Sequence, residues 1–192
     1  YARQDRRAKG REPIAARLLA DLIAAARIAR VLAVDLHTPA AEGFFPMPVE
    51  HLSAVALLAD AVRPALGVEP VVVAPDLGAT KLAERYARLL DLPVALVHKR
   101  RLTGERVTVR GVTGDVRGRT PLVVDDMITT GGTIEAAITA LLEAGCVRDI
   151  VVTATHGLFV ADAMKRLAAL PIRALVVTDS VASSTAGGLA VR

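Results

Sequence analysis

The sequence predicts an α/β protein, on three observations. Apolar runs of strand length alternate with segments of helical periodicity along the whole chain. Ala, Val and Leu dominate while aromatic residues make up only 3%, a composition suited to packed helices and buried parallel strands. Finally, one apolar run after another ends in polar residues: Asp35 and His37 after "VLAV", Asp76 after "VVVAP", Asp125 and Asp126 after "PLVV", His156 after "VVTAT", and Asp179 after "LVVT". Ligands of open α/β sheets bind beyond the carboxyl ends of the strands, which makes these groups candidates for a site. Each acid taken alone could equally cap a helix.

In order, "PIAARLLADLIAAA" (13–26) reads as a helix with Pro13 in its first turn, where the missing N–H removes no helical bond. "RVLAVD" (30–35) is a strand. A loop carrying Pro39, Pro46 and Pro48 then leads to a helix near 52–63 and the strand "PVVVA" (70–74). A helix near 80–90 precedes the strand "PVALV" (93–97). The polar, basic segment 98–119 contains little that can pack; a loop of roughly twenty residues is unusual in a compact domain, and a closing lid is a standard reason for one. After it come the strand "PLVV" (121–124), a helix over 132–144, "DIVVTA" (149–154) as a strand, a helix over 159–169 and "IRALVV" (172–177) as the last strand. Strand followed by helix, repeated this often, implies crossover units and a parallel sheet covered on both faces.

The 192 residues, 53% of them hydrophobic, suffice for one large domain or two small ones. The formal charge of +4 is modest, and a small phosphorylated ligand accounts for it as well as a polyanion does. With so few aromatics no stacking surface for nucleic acid is expected, and no apolar run is long enough to predict a transmembrane helix. Cys146, the single cysteine, sits in "EAGCVRD", excludes an internal disulfide and is read as inert, either packed or exposed at the surface, rather than as a redox group. The chain opens on "YARQDRRAKGRE" with no signal-peptide apolar core after it. It is expected to be a piece of a longer cytoplasmic protein.

The most informative stretch is "PLVVDDMITTGGT" (121–133). Its glycines let backbone amides approach an anion closely, the helix start that follows adds unpaired N–H groups, and the Thr hydroxyls donate further bonds. This is a phosphate cradle, though not a P-loop, since the spacing and lysine of that motif are absent. A phosphate would repel Asp125 and Asp126, so the two acids serve something else. They are suited to accept hydrogen bonds from a sugar diol or to hold Mg²⁺. A diol a few ångströms from a phosphate describes a ribose phosphate; the structural alternative has the acids capping the turn and the glycines merely turning.

The stretch resembles the phosphoribosyl pyrophosphate motif shared by phosphoribosyltransferases and ribose-phosphate diphosphokinases. "YARQDR" (1–6), "REPI" (11–14), "DLH" (35–37), "GFFPMPVEHL" (43–52), "APDLGATK" (74–81), "HKRR" (98–101), "GDVRGR" (114–119) and "ATHG" (154–157) resemble the diphosphokinase family in the same order. The resemblance covers almost the whole chain. It implies two related α/β domains of phosphoribosyltransferase type with parallel sheets flanked by helices: residues 1–52 as the latter part of the first, and 53–192 as the second, carrying the ribose 5-phosphate loop. It also implies transfer of the diphosphoryl group of ATP to ribose 5-phosphate, with Mg²⁺, in a cytoplasmic homo-oligomer.

On that resemblance Arg3 and Gln4 would contact ATP, as would His37, which with Asp76 would also help position Mg²⁺. Lys99 and Arg101 would close over the transferring phosphates as catalytic cations. Asp125 and Asp126 would bind the ribose hydroxyls or a second metal, while Thr129, Thr130, Gly131, Gly132 and Thr133 would hold the 5-phosphate. His156 is left unassigned. The chain departs from many relatives at Thr129 and from some at Pro46 and Ala8, where they carry acids; Thr129 should alter sugar affinity or metal dependence. Relatives also extend beyond both ends of this stretch, which is therefore expected to be inactive or weakly folded alone, with unpaired sheet edges.

Overall fold

The computed structural model describes residues 1, 3–7, 10–101 and 108–182. The chain forms two compact units, Tyr1–Ala54 and Val55–Arg192.

The first unit holds helix α1 (Ala15–Ala25) and two short parallel strands, β1 (Val31–Val34) and β2 (Val49–Leu52). Pro13 lies before α1 rather than within its first turn, because the capping position is Ile14 in extended conformation. Ile14 offers no side-chain cap. The Gln4 carbonyl accepts the Ala16 N–H instead, at 3.1 Å, satisfying one of the donors a helix start leaves open. The burial alternation of "VEHL" marks β2 as half-buried strand; the sequence reading had this segment as loop and helix start, misled by the flanking prolines. A 3-10 turn, Pro39–Phe44, joins the two strands.

The second unit is the larger. Six strands pair in the order β5-β4-β3-β6-β7-β8: β3 (Val71–Ala74), β4 (Val94–Arg101), β5 (Thr108–Thr113), β6 (Pro121–Ile128), β7 (Ile150–Gly157) and β8 (Ile172–Thr178). All pairings are parallel except β4 with β5. Helices α2 (Val55–Val62) and α3 (Thr80–Leu90) pack on each other, α2 against β7 and β8, α3 against β3 and β6. Helix α4 (Gly132–Glu143) packs against β4, β5 and β6, with α5 (Ala163–Ala168) beside it. Between the helices lie strand residues with no exposure at all, including Val71, Val73, Leu122, Val123, Val124, Ile150 and Val152. Such uninterrupted apolar strands are what two covered faces require.

The segment 98–119 is not one long loop. Strand β4 continues to Arg101, and β5 returns antiparallel along it, pairing Val97 with Val112 and Lys99 with Arg110. Val116 is 3% exposed and belongs to the core, so "GDVRGR" is anchored. Val112 packs against the core and Val116 belongs to it, in a background whose net polarity concealed both. The lid expected there falls partly on residues 102–107, which lie outside the described residues, as does the Ala8 departure.

Candidate functional site

The strand order places a switch between β3 and β6: from β3 the chain crosses to β4 on one side, and from β6 to β7 on the other. At such a point the connecting loops diverge and leave a crevice at the carboxyl ends of the strands. Asp76 follows β3, and Asp125 to Gly131 end β6 and lead into α4. The acid pair is inside the strand rather than after it, since β6 runs to Ile128. Only Thr129 to Gly131 form the turn.

Asp125 pairs in register with Ala154 and, two residues beyond Val123, continues the core-facing row of β6. Burial there penalises its charge, the neighbouring Asp126 carboxylate adds repulsion and Asp76 contributes more, and together they push the Asp125 carboxyl up to about 8. The Asp126 N–H, 2.9 Å from Asp125 Oδ1, offsets this in part. Asp76 is a helix cap as well: its Oδ1 accepts from Gly78 N at 2.9 Å and Ala79 N at 3.2 Å.

The turn is held from behind. Leu158 and Phe159 amides donate to the Ile128 carbonyl at 3.0 and 3.1 Å, and the Val160 amide donates to the Thr129 carbonyl at 3.0 Å. Gly131 has φ +75°, which an L side chain rarely adopts, so the backbone requires glycine, although a Cβ would only reach ordinary contact with the Leu167 side chain at 3.4 Å. The first bond of α4 runs from Glu135 N–H to the Gly131 carbonyl. The amides of Gly132, Thr133 and Ile134 therefore precede the helical ladder and are available to an anion. Arg166 of α5 pairs with Glu135 at 2.8 Å and packs beside Gly131.

In the first unit, Arg3 and Gln4 are exposed, and so is His37. A hydrogen bond from Thr38 Oγ1 to Asp5 Oδ2 ties the His37 turn to the Gln4 segment, bringing these three expected nucleotide contacts into one region. Lys99 and Arg101 occupy β4 opposite Arg110 and Thr108; their side chains lie outside the described residues. His156 Nδ1 is 2.7 Å from Ser180 Oγ. Residues to which the motifs assign no role but which support these groups are Asp5, Glu42, His51, Glu135 and Arg166. Their partners are distant in sequence, and no local pattern announces such ties.

Among the described residues no group of three or more His, Cys, Asp or Glu is arranged to hold a metal ion. The chemistry of Asp125, Asp126 and Asp76 still fits a divalent cation that takes its remaining ligands from phosphate and water, as Mg²⁺ does. Burial first, and then repulsion from the neighbouring acids, have raised the Asp125 carboxyl, and a cation would offset both.

The switch-point crevice and its glycine turn define a domain of the phosphoribosyltransferase type: residues 52–168 match the phosphoribosyl transferase domain family, and the chain belongs to it. Within that family its similarity is specific. The chain is 48% identical to a ribose-phosphate pyrophosphokinase of Streptomyces avermitilis over 94% of its own length and 56% of that protein's. It is 44% identical to one of Corynebacterium efficiens over 97% and 58%. The crystal structure of phosphoribosylpyrophosphate synthetase from Mycobacterium smegmatis superimposes with TM-score 0.90 at 41% identity, covering 100% of this chain and 63% of that one. The chain thus spans under two thirds of the length of these relatives. Among the described residues, no helix is long and apolar enough to cross a membrane.

Proposed function

We propose that the protein carrying this chain is a ribose-phosphate diphosphokinase, which transfers the β,γ-diphosphoryl group of ATP to the C1 hydroxyl of ribose 5-phosphate and releases phosphoribosyl pyrophosphate and AMP. The observation that supports this best is the pairing of a desolvated acid, Asp125, with an anion-accepting turn at the same strand end. A ribose phosphate presents a diol to the first and a phosphate to the second. Asp125 and Asp126 accept from the ribose hydroxyls, and the turn Thr129–Gly131 with the first amides of α4 holds the 5-phosphate. Arg3, Gln4 and His37 face the nucleotide. Lys99 and Arg101 neutralise the moving phosphoryl oxygens.

Diphosphoryl transfer asks little covalent chemistry of a protein, so positioning and charge neutralisation carry the rate. Asp76 and His37 would help to position Mg²⁺, which would supply part of that neutralisation. Residues 1–52 belong to the latter part of a first domain and 53–192 to a second, related one. The protein works as a homo-oligomer in the cytoplasm, with ATP and ribose 5-phosphate as its small-molecule partners and neither nucleic acid nor membrane among them.

Full-length protein incubated with ATP, ribose 5-phosphate and Mg²⁺ should release AMP with no nucleobase added. A phosphoribosyltransferase would give none under those conditions, and that result overturns the assignment. Replacing Lys99 with Ala should lower turnover far more than ribose 5-phosphate binding; unchanged turnover would remove Lys99 from the mechanism, while a full-length parent that binds ribose 5-phosphate without releasing AMP would be a non-catalytic paralogue.

A further inference from the structure

His51, on β2, bonds to the turn that carries His37. Its Nε2 lies 3.0 Å from the Leu36 N–H, and its Nδ1 lies 2.6 Å from Glu42 Oε1. A backbone N–H can only donate, so Nε2 is the bare acceptor nitrogen. The ring proton therefore sits on Nδ1 and is donated to Glu42. The carboxylate fixes the tautomer, and the tautomer fixes the acceptor.

The ring links three stretches of the first unit: β2, the 3-10 turn that holds Glu42, and the backbone immediately before His37. The turn is gripped on both sides of this bond. Asp35 accepts from Ser53 Oγ at 2.7 Å and Ala54 N–H at 2.9 Å, and Thr38 donates to Asp5. Asp35 has φ +40°, a left-handed conformation that an L residue adopts only when its surroundings hold it there. Leu36 is thus one point of a four-residue turn whose other anchors involve its own side chains. At Leu36 the anchor is supplied from outside, by an imidazole.

We propose that His51 is a positioning residue for the nucleotide side of the reaction: through the Leu36 amide it holds the backbone that aims His37, with Glu42 keeping its ring in the accepting tautomer. The inference rests on the proposed function only in naming ATP as the molecule His37 meets. The tie itself is a property of the first unit.

Two substitutions separate the roles of the ring nitrogens. In His51→Gln the amide oxygen reaches the place of Nε2 and still accepts from Leu36. In His51→Asn the shorter amide reaches only the place of Nδ1, so the Leu36 N–H loses its partner. Both are made in the full-length protein, and two quantities are read: hydrogen exchange at the Leu36 amide, and Michaelis constants for ATP and ribose 5-phosphate. His51→Asn should speed Leu36 exchange and raise the ATP constant, each about tenfold, the worth of one hydrogen bond, while the ribose 5-phosphate constant stays within about twofold. His51→Gln should restore both to within about threefold of the parent. If His51→Asn does not fold, Glu42→Ala keeps the ring but frees its tautomer, and should shift both readouts in the same direction by less.

Unchanged Leu36 exchange in His51→Asn would overturn the proposal, as would failure of Gln to outperform Asn or an equal rise in both Michaelis constants. Faster exchange in a protein that turns over neither substrate overturns the proposed function instead, and leaves the tie to Leu36 standing.

Discussion

Asp35 and Asp125 each follow an apolar strand run, one in each unit, and the residues that lead into them, "VLAV" and "PLVV", are alike. Asp35 is 8% exposed and its carboxylate is provided for: Ser53 Oγ and Ala54 N–H donate to it from the end of β2. Asp125 has one backbone donor, two acidic neighbours and a carboxyl pushed up to about 8. An acid satisfied by its own protein holds the fold together. An acid crowded by like charge is waiting for a donor or a cation that the protein does not supply.

The comparison breaks hardest at Asp35. Asp35→Ala removes both of its hydrogen bonds, leaves the buried Ala54 N–H without its acceptor, and keeps a non-glycine residue at positive φ. A local loss of about 3–5 kcal/mol is expected, read as faster hydrogen exchange across β1 and β2. Exchange in β6 and β7 should not change, and if it does, Asp35 is not a local anchor.

Asp125→Asn should do the reverse. Replacing a carboxyl that can ionise against the bound diol and cation by an amide that cannot should weaken ribose 5-phosphate binding about 100-fold by calorimetry, without lowering the stability of the ligand-free protein. The pH dependence carries the same contrast. With a folded value near 8 against an ordinary 3.8, Asp125 holds a proton in the folded chain that the unfolded chain has released. Its contribution therefore falls as pH rises from about 4 to about 8 and is flat outside that window, with a slope limit of about 1.4 kcal/mol per pH unit. Denaturation across that range should show the decline in the parent and its absence in Asp125→Asn. Equal slopes would mean that the carboxyl is ionised throughout.

Gly131→Ala sharpens the contrast at smaller scale. The left-handed φ predicts a loss of about 1–2 kcal/mol in thermal unfolding, together with weaker phosphate binding. An alanine tolerated in both respects would show that the turn has freedom to shift. Thr153→Val tests the other limit. Thr153 is fully buried, and its Oγ1 has no hydrogen-bond partner among the described residues. Removing an unanswered hydroxyl should stabilise by about 1 kcal/mol with unchanged ligand affinity, which distinguishes an unsatisfied group in the core from one in a crevice.

The α/β class and the loop at the end of β6 were legible because both rest on local pattern: uninterrupted valines for buried strands, and paired acids before glycines for the turn. Strand β2 was hidden by the prolines on its approach, and β5 by the basic residues around Val112, since a net count of polarity overlooks a single packed residue. The grouping of Arg3, Gln4 and His37 was legible only through the family resemblance. The bond that joins their segments, Thr38 to Asp5, spans 33 residues, and no window of sequence contains it. The switch between β3 and β6 depends on strand order, which pairing decides and composition does not.

The three amides of Leu158, Phe159 and Val160 give the anion turn a polarity. They take up the carbonyls of Ile128 and Thr129, so acceptors point into the scaffold and donors are left at the face a ligand meets. A loop sorted in this way discriminates by sign before it discriminates by shape. The residues that do the sorting act through their backbones alone, so Leu158 and Val160, both partly exposed, are free to change side chain, and only proline, which has no N–H to give, is barred from either position.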